Sequence, residues 1–318
     1  MRHASSFVLL ASALCASSAV RAGDPPSFEG TWTNATITSL QRPDRYKSLV
    51  IAASEVAAQT ASHPQVVRQR TDDQLDDSKP LNGSDLKDGR GYNAFWIDPG
   101  TTFARVKGEY RTSWIVDPPD GQIPFRAGVR ERLDAARGNF DGPEARPLGE
   151  RCIVNSNSAG PPMLSYLYNN NYEFVQTADA LVIRAEMNNY ARVIRIGGRH
   201  PPPAVLTLHG DSTGRWVGQT LEVETNRFHP LHASGVVPLT GTATVIERFT
   251  RVSPSEILYE FTMEDPALYA RPWRGETTFN ATRDRVFEYA CHEGNYALPG
   301  ILAGAREQER REAATTSH

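Results

Sequence analysis

Beyond residue 170 the chain breaks into short runs in which apolar and polar side chains alternate: 172–176, 180–186, 192–196, 204–209, 220–225, 243–252, 257–263, 277–280 and 286–290. Val, Ile, Thr, Tyr and Phe dominate these runs, and turn sequences such as Gly197-Gly198, Asp211-Ser212-Thr213-Gly214 and Ser253-Pro254-Ser255 separate them. Period-two alternation of such residues predicts strands. With no helical stretch between them, the strands read as an antiparallel meander, and a long meander hides its unpaired edges best by closing on itself. The expected fold is therefore mainly β, an antiparallel barrel. Earlier in the chain the spacing changes. Residues 48–70, with Val50, Ile51, Val56, Ala57, Val66 and Val67, predict one or two helices broken near Pro64, and residues 125–137 predict another. A C-terminal helix is expected over 300–313. This divides the chain into a strand/helix region at 23–150, packed on the barrel, and a barrel with its C-terminal helix at 151–318.

The first 22 residues stand apart. Arg2 precedes an apolar stretch over 7–20 and a small residue at Ala22, the pattern of an export signal cleaved near Ala22. The stretch is too short to span a bilayer, and Gly23, Asp24, Pro25 and Pro26 follow it. The expected location is periplasmic or secreted, with no membrane span. Losing Arg2 and Arg21 moves the formal charge from -3 to -5. No Lys/Arg block is present, so nucleic acid and anionic lipid are not expected partners. Residues 72–89 carry six Asp among Pro80 and Gly83 without the spacing of a calcium loop, which reads as a solvated acidic loop. Cys152 and Cys291 are the two cysteines left after cleavage, and in an oxidising compartment they are expected to pair; two buried thiols are the alternative.

The runs GTWTNATI from Gly30, RTSWIVDPPDG from Arg111, GPPM from Gly160, YNNNY from Tyr168, GDSTGRW from Gly210, TLEVET from Thr220, ERFTRV from Glu247, YEFTMEDP from Tyr259, RPW from Arg271 and YACHEGNY from Tyr289 span nearly the whole chain after residue 22. Together they resemble a large family of secreted bacterial proteins. The resemblance implies a lipocalin- or calycin-like barrel in the second half and carries no particular reaction with it. Thr244 stands where relatives carry His, and Gln219 where they carry Asp, so a metal or proton-transfer role attached to that His does not transfer.

Standard catalytic signatures are missing: there is no Gly-x-Ser-x-Gly elbow, phosphate loop or dinucleotide fingerprint. His292-Glu293 lacks the second His of a zinc-protease helix, because Tyr296 occupies that position. His229 and His232 flank Pro230 and read as a loop pair. No metal and no cofactor is expected. Strand parity is more informative. If Phe249 faces the barrel interior, Val245, Glu247 and Arg251 do too. Arg184 and Glu186 share a face opposite Leu181, Ile183 and Ala185. A carboxylate held in an apolar interior is suited to proton transfer; an outward ion pair is the alternative for both strands.

Glu247, Glu186 and His292 are the candidate acid/base residues, His292 being held beside Cys291 if the disulfide forms. Tyr168, Asn169, Asn170 and Asn171 precede the first barrel strand and offer phenol and amide groups at its mouth, unless they form a plain turn. Arg271 beside Trp273, with Arg184 and His200, completes the candidate substrate contacts. The expected function is a cofactor-independent lyase or isomerase acting on a small apolar or aromatic compound bound in the barrel. A non-catalytic binding protein for such a ligand, or a hydrolase using the same residues, is the alternative. The sequence leaves the oligomeric state open.

Overall fold

A computed structural model describes residues 25–72, 99–155 and 160–316. The expected export segment and nearly all of the acidic loop lie outside these residues. The first part of the chain supplies β1 (Gly30–Thr33), β2 (Val50–Ile51), α1 (Val56–Ala61), α2 (Pro64–Asp72), β3 (Arg105–Val106), β4 (Glu109–Arg111), β5 (Ile115–Asp117) and α3 (Val129–Arg137). The second supplies β6 (Asn171–Gln176), β7 (Ala180–Ala185), β8 (Ala191–Ile196), β9 (Asp211–Val217), β10 (Thr220–Asn226), β11 (Thr244–Ser253), β12 (Glu256–Glu264), β13 (Trp273–Ala281) and α4 (Ala297–Thr316). Pro64 starts α2, as its place at a break predicts. Val50 and Ile51, expected in a helix, are instead paired to β4.

Nine strands close the barrel in the order β1-β6-β7-β8-β9-β10-β11-β12-β13, with β13 returning to β1. A ring with an odd number of strands cannot alternate direction all the way round, so one neighbouring pair must run parallel. That pair is β8 with β9, which corrects the purely antiparallel expectation. A parallel pair obliges the chain to travel back to the end where the first strand began. Residues 197–210 make this return as irregular backbone that carries one isolated bridge, Thr207 to Phe228, and is also tied to β9 through His200 and Asp211. The strand expected at 204–209 is therefore a crossover, and the turn expected at 211–214 lies inside β9. Strand 286–290 is also absent. The ladder positions beside β13 are taken by β12 on one side and by β1 and β5 on the other. Backbone there bonds to side chains instead: Phe287 N–H donates to Glu186 Oε1 at 3.1 Å and Tyr289 N–H to Asn189 Oδ1 at 3.4 Å.

Alternation decides what fills the barrel. Trp32, Phe174, Phe249, Tyr259, Phe261, Trp273 and Phe279 all point inward and are buried. Full burial of one such side chain stabilises by roughly 1.5–3 kcal/mol. The rings pack so closely that a Cβ at Gly275 would lie 2.3 Å from the Phe261 ring, which is why the position between Trp273 and Thr277 carries no side chain. Phe28 stacks on Trp216 at 5.6 Å and closes the end where β9 turns into β10. The hollow anticipated from the alternation is thus occupied by aromatic side chains.

The small sheet of β2, β4 and β3 lies over the outer face of β13. Glu276 is buried there between Arg111 at 2.8 Å and Lys107 at 2.7 Å. Ile37, Ile51, Val56, Val66 and Phe103 form a second core under this lobe. Among the described residues no helix is long and apolar enough to cross a membrane.

Cys152 and Cys291 are joined, tying the segment before the barrel mouth to the tail across 139 residues of sequence. Closing a loop of that length removes unfolded-state entropy worth up to about 5 kcal/mol. The paired substitution Cys152→Ala/Cys291→Ala is expected to lower the denaturant midpoint and to raise m, because the denatured chain without the crosslink is less compact. An unchanged midpoint would show that the crosslink contributes nothing to stability.

Candidate functional site

Glu247 lies in the middle of β11, opposite Val223 on β10 and Phe261 on β12, and its side chain is wholly buried. An isolated carboxylate in such a place costs several kcal/mol. Arg192, the one charged side chain on the inward face of β8, meets it across the barrel. Its Nη1 donates to Glu247 Oε1 at 3.0 Å and its Nη2 donates to Oε2. The rest of the guanidinium is also used: Nε donates to Ser212 Oγ at 3.0 Å and Nη2 to Thr225 Oγ1 at 2.9 Å. Tyr259 O–H donates to Glu247 Oε1 at 2.8 Å. Burial opposes the charge on Arg192, but Glu247 outweighs it and holds the guanidinium above its usual pKa. Burial, then the Glu247 charge, push the Tyr259 phenol well above its usual range. Arg192 stays charged and Tyr259 stays protonated.

From this pair the order passes to the mouth. Tyr259 Oη accepts the Met163 N–H at 3.0 Å, and Asn34 Nδ2 donates to the Met163 carbonyl at 2.8 Å. Three residues on, Asn170 grips Tyr166 from both sides: its Oδ1 accepts the Tyr166 N–H at 2.6 Å and its Nδ2 donates to the Tyr166 carbonyl at 2.8 Å. The strip 163–166 is therefore fixed at both ends. It walls a groove of two adjoining compartments. One, of about 170 Å³, is lined by Leu40, Trp114, Leu164, Ser165, Tyr166 and Val236. The other, of about 200 Å³, shares Leu40, Ser165 and Tyr166 and adds Thr36, Ser39 and Gln65 among its walls.

Beside Gly160, just before this strip in the chain, lies an imidazole pair. His209 is buried, with the tilted Tyr190 ring at 4.1 Å and His232 at 5.9 Å. Gly160 abuts it so tightly that a Cβ would sit 2.2 Å from His209 Nδ1. Neither ring nitrogen of His209 meets a hydrogen-bond partner among the described residues. Burial, then the neighbouring His232 and Arg192, bring its pKa down to about 3. The ring is neutral at physiological pH.

The candidates named from the sequence are scattered relative to this arrangement. Glu247 faces inward with Val245 and Phe249, as parity required. Glu186 is buried but belongs to the turn after β7, where it accepts the Phe287 N–H, while Arg184 points outward to Glu173 at 3.3 Å. His292 is exposed in the tail. These three candidate acid/base groups line neither groove compartment and share no hydrogen bond. Asn170 braces the groove wall, Tyr168 meets Tyr166 edge-to-face at 5.9 Å, Asn169 adopts a left-handed backbone with φ 57°, and Asn171 opens β6. His200 sits on the barrel exterior, 2.7 Å from Asp211 and 3.2 Å from Thr213 Oγ1. Arg271 turns out to Asp117 at 3.2 Å while Trp273 turns into the core, so the two do not form one anion site. His229 Nδ1 accepts the Leu231 N–H, whereas His232 faces Phe228 and His209.

Arg192 was missed although a signal existed: it alternates with Ile194 and Ile196, and a lone cation on an apolar strand face needs a buried counterion. Trp114, Leu164 and Val236 come from three distant segments, and no local pattern joins them. No family model matches the sequence, and comparisons with curated proteins and with solved structures give no significant match.

The neutral His209 makes stability depend on pH. The unfolded chain takes up a proton near its ordinary 6.5, which the folded protein refuses until about 3. Stability is therefore full above that unfolded value and falls as the pH drops toward the folded one, by about 1.4 kcal/mol per pH unit for one proton. His63, lowered by burial and Arg45 to about 4, acts with the same sign. Between about pH 6 and 4.5, before most carboxylates titrate, His209→Leu is expected to flatten the slope by one proton. An unaltered slope would mean that His209 is already protonated in the fold.

Proposed function

We propose that this protein binds a small apolar or aromatic molecule in the groove at the barrel mouth. One observation carries the reading: the compartment walled by Leu40, Trp114, Leu164, Tyr166 and Val236 is open, aromatic and apolar, while the interior of the barrel is filled. Ligand sites are typically concave and apolar with a few fixed polar groups, and the groove wall is held rigid by Met163, Asn34 and Asn170. The disulfide fits an oxidising compartment and supports an exported, periplasmic or secreted location.

An acid/base enzyme of the lyase, isomerase or hydrolase type is the second reading. The wholly buried Glu247, with the Tyr259 hydroxyl at 2.8 Å, favours it. It ranks second because Arg192 and Tyr259 already occupy both carboxylate oxygens, and because the groove lies above them, separated by the 163–166 strip.

Val236 is half exposed at the groove rim, so replacing it should change stability by less than about 0.5 kcal/mol. Val236→Asp is expected to weaken binding of a bicyclic aromatic hydrocarbon by roughly ten-fold or more, since it sets a charge against apolar surface. Calorimetric titration of both proteins checks this. Equal affinity would place the ligand elsewhere, and appearance of a new product in the wild-type titration would put the enzyme reading first.

A further inference from the structure

We propose that the groove selects uncharged amphipathic ligands: molecules with a flat ring at one end and a neutral hydrogen-bonding group, an amide or a hydroxyl, at the other. This inference rests on the binding reading above and narrows it to a chemical class.

The two compartments differ in chemistry and join through Leu40, Ser165 and Tyr166. The first offers Trp114, Leu164 and Val236, the surface a planar ring needs. The second offers polar groups, and they divide into committed and free. Thr36 Oγ1 donates to the Thr102 carbonyl at 3.0 Å, and Thr38 Oγ1 donates to the Arg111 carbonyl while accepting the Ala104 N–H. Trp114 Nε1 donates to the Thr38 carbonyl at 3.1 Å. By contrast, the side chains of Ser39, Gln65 and Ser165 make no hydrogen bond to other described residues. A primary amide and two hydroxyls both donate and accept, so together they complement a neutral ligand group of the same kind.

The described lining carries no charge. Among the described residues, no Asp, Glu, Lys, Arg or His lines either compartment. Gln65 N–H donates to His63 Nδ1 at 3.3 Å, and that imidazole is kept neutral. A carboxylate or ammonium entering the groove would lose hydration and find no counterion among the described lining residues, a cost of several kcal/mol. A neutral amide loses less hydration and regains its hydrogen bonds from Gln65, Ser39 and Ser165.

Three probes with one ring system separate the possibilities: naphthalene-2-carboxamide, naphthalene-2-carboxylate and naphthalene, titrated calorimetrically into the full chain at neutral pH. The amide is expected to bind tightest, and the carboxylate roughly ten-fold or more weaker than the amide. Gln65→Leu with Ser165→Ala should bring the amide down to the affinity that naphthalene has for the same variant. Carboxylate binding equal to or tighter than amide binding overturns the selectivity while leaving the groove a binding site. An amide advantage that survives the double variant overturns the assignment of the polar end. Binding by none of the three removes the binding reading and the selectivity with it.

Discussion

Arg192 and Glu247 are buried on opposite sides of one barrel, and neither charge is tolerable there without the other. Removing one partner of such a pair typically costs about 3–5 kcal/mol, because it strands the other charge in a medium that solvates it poorly. The pair therefore fixes where β8 stands relative to β11, two strands that are not neighbours in the sheet. Ser212 and Thr225, on the intervening strands β9 and β10, take two further guanidinium donors, so four strands are held in register by one guanidinium. Through the Tyr259 hydroxyl the same network reaches Met163 and with it the wall of the mouth groove. The polar interior acts as a clamp, and the surface it sets is where the candidate ligand site lies.

The odd number of strands has consequences that reach the rest of the fold. One parallel pair forces a long crossover at 197–210, and that crossover brings His209 against Gly160 and Tyr190. Closure of β13 onto β1 leaves the tail no ladder to join. It is held instead by Glu186, Asn189 and the Cys152–Cys291 bridge before α4 begins. Local features that look unrelated in sequence thus follow from a single topological requirement.

Much of the barrel was legible because the information is local. Alternation in β10, β11 and β12 identifies the inward set that includes Leu221, Glu247 and Tyr259, and the break at Pro64 separates α1 from α2 as written. The errors share a cause. Residues 204–209 have strand composition but no free neighbour, and Asp211-Ser212-Thr213-Gly214 has turn composition yet lies between β8 and β10, where pairing overrides propensity. The site was legible only in part. Glu247 announces itself by parity, and Asn170 by an improbable run of amides, although its amide braces the wall instead of facing a ligand. Arg192 is found only when β8 and β11 are considered together, and the groove appears only when residues near 40, 114, 164 and 236 meet in space.

The buried pair, acting through Tyr259, holds the groove wall in place. Amide hydrogen exchange at Met163 and Leu164 tests it most directly, compared between the wild type and Tyr259→Phe. The substitution removes a single hydroxyl, the acceptor for the Met163 N–H. Protection at these two amides is expected to fall while that of β10 and β11 is retained. Unchanged protection at Met163 would show that the mouth is held by something other than this network.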